Sequence, residues 1–255
     1  MKIKKETIVW IFLIVPFFYP SSIAETSLSS IWYYWKLCAV ACGVIYIFKR
    51  IKNLKYLEKS TWFIIVMYIM QIIASAINKL DILYDFKTAV MMGVFVLVAS
   101  FLLYEYGNRA ILFFYRLVNV FIWLNFLSVI FLYGRGIARD SYDTAIYFWS
   151  TKNHIISLTI VYLVTIFYLY NENYIHKKRF LSGVSVATIA VFLMGSSTAI
   201  TALIVLGVFM WYCTVCNKSK KPANMKAGIV IGVIADVAIV VFRVQEKLGL
   251  FIGTI

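Results

Sequence analysis

Long apolar runs recur along the chain and are separated by short clusters of polar and charged residues. A helix needs about 17–25 mostly apolar residues to cross about 30 Å of hydrocarbon. On that measure the pattern predicts nine spans, over Thr7–Ala24, Leu28–Phe48, Thr61–Ile77, Thr88–Tyr104, Ala110–Tyr133, His154–Tyr170, Phe180–Met194, Thr198–Cys216 and Ala227–Phe242. The seventh and eighth need separating, because Phe180–Cys216 holds 37 residues without one Asp, Glu, Lys, Arg or His. As one helix this stretch would be about 55 Å long, nearly twice the hydrocarbon thickness. The chain is therefore expected to turn inside it, at Gly195-Ser196-Ser197-Thr198, where glycine tolerates positive φ and hydroxyls satisfy freed backbone groups. The runs are continuous rather than alternating, which excludes transmembrane β-strands. The expected fold is an all-α polytopic transmembrane bundle, a single integral membrane domain over 1–255 with no soluble domain.

Composition supports the same class. Hydrophobic residues make up 63% of the 255-residue chain and charged residues 14%, and the mean hydropathy is +0.87. Soluble domains carry about a quarter charged residues, and disordered chains are far less apolar. Both classes are excluded. The net charge of +14 would point to nucleic acid in a soluble protein, but here it first has to be sorted by loop.

With the N-terminus inside, sixteen Lys and Arg fall on the cytoplasmic side: Lys2–Lys5, the Lys49–Lys59 cluster, Arg109, Lys177–Arg179 and the Lys218–Lys226 cluster. Eight fall on the other side, namely Lys36, Lys79, Lys87, Arg135, Arg139, Lys152, Arg243 and Lys247. Cytoplasmic loops carry the excess of basic residues, so the N-terminus is expected inside and the C-terminus outside. Most of the charge is then a topology signal and an attraction to anionic headgroups, and nucleic acid drops out as a partner. Lys2–Lys5, the following apolar stretch and Ser22-Ile23-Ala24 also fit a cleavable signal peptide, an alternative that leaves later spans unchanged.

One external loop is long. Gly134–Asn153 reads GRGIARDSYDTAIYFWSTKN, with Arg135, Arg139, Asp140, Asp143 and Lys152 among several aromatics. Long loops in compact proteins are functional or disordered, and this aromatic density argues against disorder. Its bland reading is an interfacial segment with solvated charges. Its sharper reading is an anion site, because guanidinium matches phosphate or diphosphate bidentately. The spacing of four would place Arg135 and Arg139 on one face of a helical turn. Asp140 or Asp143 could orient an arginine or act as general base, and so could His154. As a lone histidine at a helix start, His154 also fits capping or packing.

Asp236 and Arg116 lie inside expected spans, where a charge costs at least about 2.5–3.5 kcal/mol on insertion scales. Both are expected to face the bundle interior, where they could pair structurally or Asp236 could titrate in an ion pathway; Arg116, near the helix end, is expected instead to snorkel to the cytoplasmic headgroups. Asn119 and Asn125 offer polar partners on the same helix. Cys38, Cys42 and the Cys213-x-x-Cys216 pair read as packing, so no metal or cofactor is expected. The chain has no Walker A loop, G-x-S-x-G, H-E-x-x-H or Rossmann fingerprint, so any reaction would occur at the membrane surface.

The basic N-terminus, the serial spans, the Lys152–His154 K-N-H opening a helix and the MGSSTAITALIVL stretch at Met194–Leu206 resemble the O-antigen polymerase and ligase family. The Gram-positive members that assemble capsular polysaccharide and exopolysaccharide look closest. In that family an S-x-T-A segment after a short external turn starts a helix, a basic cytoplasmic loop follows, and one more helix leads into a large external loop. Ser196-Ser197-Thr198-Ala199, the Lys218–Lys226 cluster and Ala227–Phe242 match that order. The resemblance implies a metal-independent glycosyltransferase, polymerase or ligase, that moves a growing glycan between undecaprenyl-diphosphate-linked oligosaccharides, together with other polysaccharide-assembly membrane proteins. It implies Arg135, Arg139 and Arg243 as diphosphate ligands. The family continues with a long external loop carrying a G-R-T-x-x-W-like stretch, whereas this chain ends at Ile255, so a C-terminally truncated and inactive form is the accompanying expectation. The alternatives are a transporter or lipid-linked sugar flippase, suggested by Asp236 and Arg116, and a non-catalytic subunit that recruits partners through its basic loops.

Overall fold

A computed structural model describes residues 5–78, 81–139, 144–151 and 155–218. They are mostly helical: α1 (Lys5–Ile14), α2 (Ser21–Ala24), α3 (Leu28–Phe48), α4 (Lys59–Ile77), α5 (Ile82–Tyr106), α6 (Asn108–Phe131), α7 (Ile155–Asn171), α8 (Lys177–Leu193) and α9 (Ser197–Lys218). A short hairpin, β1 (Ala138–Arg139) and β2 (Ala145–Ile146), lies between α6 and α7. The ninth expected span, with Asp236 and Arg243, lies outside the described residues. Four helices, α3 to α6, are long and apolar enough to cross a membrane. At 1.5 Å per residue they measure about 28–37 Å, and large side chains such as Phe48, Phe63, Ile77, Leu83 and Phe131 stand exposed on them. Exposed apolar surface on this scale suits hydrocarbon rather than water.

The first expected span is not one helix. α1 ends at Ile14 and a 3-10 turn over Val15–Phe17 follows, carrying Pro16. Proline has no N–H to donate and restricts the residue before it, so Pro16 and Pro20 interrupt a run whose hydropathy reads as continuous.

The chain divides into two compact units, one of Met1–Tyr19 and Ile23–Phe114, the other of Pro20–Ser22 and Tyr115–Ile255. In the first, side-chain pairs set the helix directions. Tyr33 meets Lys87, Gly43 lies against Val94 and Val98, and Arg50 meets Glu105, so α3 and α5 run parallel. Gln71 and Ser75 bond to Asp85 and Thr61 to Ser100, so α4 is antiparallel to α5. Trp10 packs on Tyr106 and Phe17 on Phe95, which makes α1 antiparallel to α5 as well.

Glycine permits the α3–α5 approach. A Cβ on Gly43 would sit 2.7 Å from Val94 Cγ1, and small residues are the usual means of close helix packing where lipid removes a hydrophobic drive between helices. At one end of this seam Arg50 makes a two-pronged pair with Glu105, Tyr46 donates to Glu105 Oε2 at 3.2 Å, and the guanidinium lies 3.6 Å from the Tyr46 ring centroid. Burial works against the Arg50 charge, but the Glu105 hydrogen bond and the negative charges around it outweigh that and raise its pKa above the ordinary value.

In the second unit α6, α7 and α8 follow one another antiparallel. Tyr162 on α7 stacks on Tyr115 of α6 and donates to Asn119 Oδ1 at 2.7 Å. It also lies over Gly183 of α8. Tyr170 stacks on Phe180 at 4.5 Å. The expected turn between α8 and α9 is present: Gly195 has φ of 64°, and Ser196 Oγ accepts from Ala199 N at 3.2 Å, capping α9.

Candidate functional site

The long loop is built on two polar side chains of α6. Asn125 and Ser128, three residues apart, share a helix face. Asn125 is 1% exposed; its Oδ1 accepts from Trp149 N at 2.9 Å, and its Nδ2 lies 3.8 Å from Met194 Sδ. Ser128 Oγ accepts from Phe148 N at 2.9 Å and donates to Asn125 O at 2.7 Å. The carbonyls of the same loop residues are used too, by Ser21 N on Trp149 O at 2.9 Å and Ser22 N on Phe148 O at 3.3 Å. Apart from the Asn125–Met194 contact, each of these bonds satisfies a backbone N–H or C=O of the loop or of the elements it meets.

The loop is a hairpin rather than a helical turn. After α6, Gly136 N donates to Leu132 O at 2.8 Å, and Gly134 and Gly136 both have positive φ. Ala138 then pairs with Ile146 and Arg139 with Ala145, antiparallel. Consecutive residues on a strand point to opposite faces, so helical spacing does not relate Arg135 to Arg139. Arg139 instead reaches back along its own strand side, its Nη2 donating to Gly134 O at 3.4 Å, next to Arg135 in the chain. Both arginines are exposed. Guanidinium groups are planar donors suited to phosphate.

Beneath the rim lies an apolar cluster. Val129, Tyr147, Ile155, Val191, Met194, Ala199 and Ile200 are buried together, with Ala145, Trp149, Ile156 and Leu203 packed against them. Tyr147 Oη accepts from Gly134 N at 3.3 Å, tying the hairpin to the cluster. Ala199 and Ile200 open the helix that starts S-S-T-A, and Ser196 is 2% exposed. Two stretches picked out separately in the sequence, the aromatic loop and the S-x-T-A turn, thus meet in one packed body.

Other expected site residues fall elsewhere. Arg116 is exposed on α6 and does not face an interior, consistent with its cationic head lying out of the core. Asn119 and Asn125 bond to Tyr162 and to the loop rather than to Arg116. Asp140, Asp143, Lys152 and His154 lie outside the described residues. Cys38 and Cys42 are exposed on α3 rather than packed inside. Ser128 was not singled out by sequence; the available signal was its spacing of three from Asn125 on an otherwise apolar helix.

This arrangement defines a mostly helical membrane protein whose α6–α7 loop is anchored to its helices through side-chain to backbone bonds. No protein-family model matches the chain, and neither curated proteins nor solved structures give a significant match.

Proposed function

We propose that the chain is a surface-polysaccharide polymerase-like glycosyltransferase of the bacterial plasma membrane, acting on undecaprenyl-diphosphate-linked repeat units. The observation that carries this reading is the hairpin rim: Arg139 bonds to the Gly134 carbonyl beside Arg135, and Gly134 N bonds to Tyr147 of the cluster that contains the first turn of α9. Arg135, Arg139 and Arg243 bind the diphosphate of the donor. The acceptor hydroxyl oxygen forms a new bond to the anomeric carbon, the bond from that carbon to the diphosphate breaks, and the diphosphate leaves with the electron pair. His154, Asp140 or Asp143 takes the hydroxyl proton, while the arginines neutralise the charge developing on the leaving group. Nine spans with the N-terminus inside accompany this reading. In the first unit the alternating helix directions and the basic cluster around Arg50 support that orientation.

Deleting the gene should shorten the surface glycan and build up lipid-linked repeats. Arg135→Ala and Arg139→Ala should impair chain extension without lowering membrane abundance. Unchanged glycan length with no accumulation overturns the proposal, and loss of abundance in the arginine variants reassigns them to folding.

A further inference from the structure

Two lysines occupy the α3–α5 seam at the end opposite the Arg50–Glu105 pair. Lys36 lies about 12 Å along α3 from its start, and Lys87 about 7.5 Å along α5. Since the two helices run parallel, both stand in the same end of the bundle. Lys87 Nζ reaches across to α3 and sits 4.8 Å from the Tyr33 ring centroid, one turn before Lys36, while Lys36 Nζ sits 5.7 Å from the Phe17 ring. The seam thus gathers two cationic side chains at one end, Lys87 over a ring one turn from Lys36, and like charges placed so repel one another.

Neither lysine has a carboxylate partner among the described residues. Among the described residues the one ion pair is Arg50–Glu105. The two acids nearest Lys87 in sequence are engaged elsewhere: Asp81 accepts from Tyr84 N at 3.0 Å, and Asp85 takes bonds from Gln71 and Ser75 of α4. Aromatic faces attract cations but carry no net charge, so they offset only part of the cost of two like charges within a hydrocarbon-spanning segment. A bound anion would remove both the repulsion and the uncompensated charge. The surroundings indicate its form, because Tyr34, Leu37, Leu83 and Phe86 are exposed beside the pair and present an apolar surface along which acyl chains can lie.

We propose that Lys36 and Lys87 together hold the phosphate of an anionic phospholipid headgroup at this seam, with its acyl chains against the exposed faces of α3 and α5. The site is independent of the glycan chemistry proposed above and involves none of its residues. Its shared chemistry is a phosphate bridging two ammonium groups, and a free phosphate is the other source of the same group.

The test uses the purified full-length chain in a neutral detergent, titrated with phosphatidylglycerol, with phosphatidylcholine and with sodium phosphate, and read by native mass spectrometry. Wild type should retain one phosphatidylglycerol in preference to phosphatidylcholine. The K36Q/K87Q double variant should bind it about 10- to 30-fold more weakly, the effect of removing two interfacial cations, and K36R/K87R should restore retention. K87Q alone, altering an exposed side chain, should give an intermediate loss and serves if the double variant does not fold. Displacement of the lipid by millimolar phosphate assigns the site to free phosphate, and retention in its presence assigns it to lipid. Equal phosphatidylglycerol affinity in wild type, K87Q and the double glutamine variant overturns the proposal.

Discussion

Replacing Asn125 by alanine removes the acceptor for Trp149 N, a 2.9 Å bond from a side chain that is 1% exposed. A net intramolecular hydrogen bond is worth about 0.5–1.5 kcal/mol, and a buried N–H left without a partner costs about 1–3 kcal/mol. Interhelical side-chain bonds measured in membranes average about 0.6 kcal/mol and reach about 1.7. Because Trp149 N sits at the loop, where water can partly replace the lost acceptor, about 1–2 kcal/mol is expected. Phe148 N keeps Ser128 Oγ, so the loop should loosen locally rather than unfold the helices. The assay is amide hydrogen exchange of the full chain in detergent, followed on peptides covering 144–151. In the regime where exchange tracks the opening equilibrium, 1–2 kcal/mol corresponds to about 5- to 30-fold faster exchange there, with α5 and α7 unchanged. Ser128→Ala should act on the same segment, and the double variant should fall short of the sum because both bonds hold one piece of chain. Unchanged exchange of 144–151 in Asn125→Ala, with native exchange elsewhere, would refute the view that α6 positions this loop.

Three further outcomes follow from the packing. Gly136→Ala places a Cβ 2.7 Å from Ile146 O at a φ of 69°, so it should cost about 1–3 kcal/mol and exceed Gly134→Ala, whose added Cβ meets nothing within 4 Å; thermal melts in detergent compare the two. Gly183→Ala would overlap Tyr162 Oη and Ile166 Cδ1, and Tyr162 cannot yield without leaving Asn119. A loss of about 1–3 kcal/mol is expected, whereas Gly93→Ala and Gly207→Ala, with open space around the new methyl, should be neutral or slightly stabilising. Glu105→Gln should cost less than about 1 kcal/mol, because the pair is 24% and 21% exposed and solvent screens it; a fall in Tm above about 4 °C would contradict this.

The positions of the helices between 28 and 218 were legible in the sequence to within three residues except at the start of α5, which begins six residues before the expected Thr88 because the helix runs on through Asp85 and Lys87; an apolar run of spanning length is a local property. The α8–α9 turn was legible for the same reason, since Gly195 and Ser196 carry their own conformational and capping preferences. What hydropathy missed in the first span was proline chemistry, which breaks a helix without changing how apolar it is. The candidate site was legible as ingredients only. Arg135, Arg139 and the S-x-T-A stretch could be named, but their relation could not, because helical spacing fits the sequence GRGIAR as well as a hairpin does.

By itself, then, the sequence determined that this chain is helical, apolar and suited to a bilayer, since burial of backbone polar groups in hydrocarbon leaves few other solutions. Only the tertiary structure decided that Asn125 and Ser128 hold the aromatic loop and that Arg139 folds back to the Gly134 carbonyl. It alone placed Lys36 and Lys87 along one seam. The reason is physical: each of these depends on partners 5 to 51 residues apart, and a pairing between distant residues leaves no periodic trace in either segment.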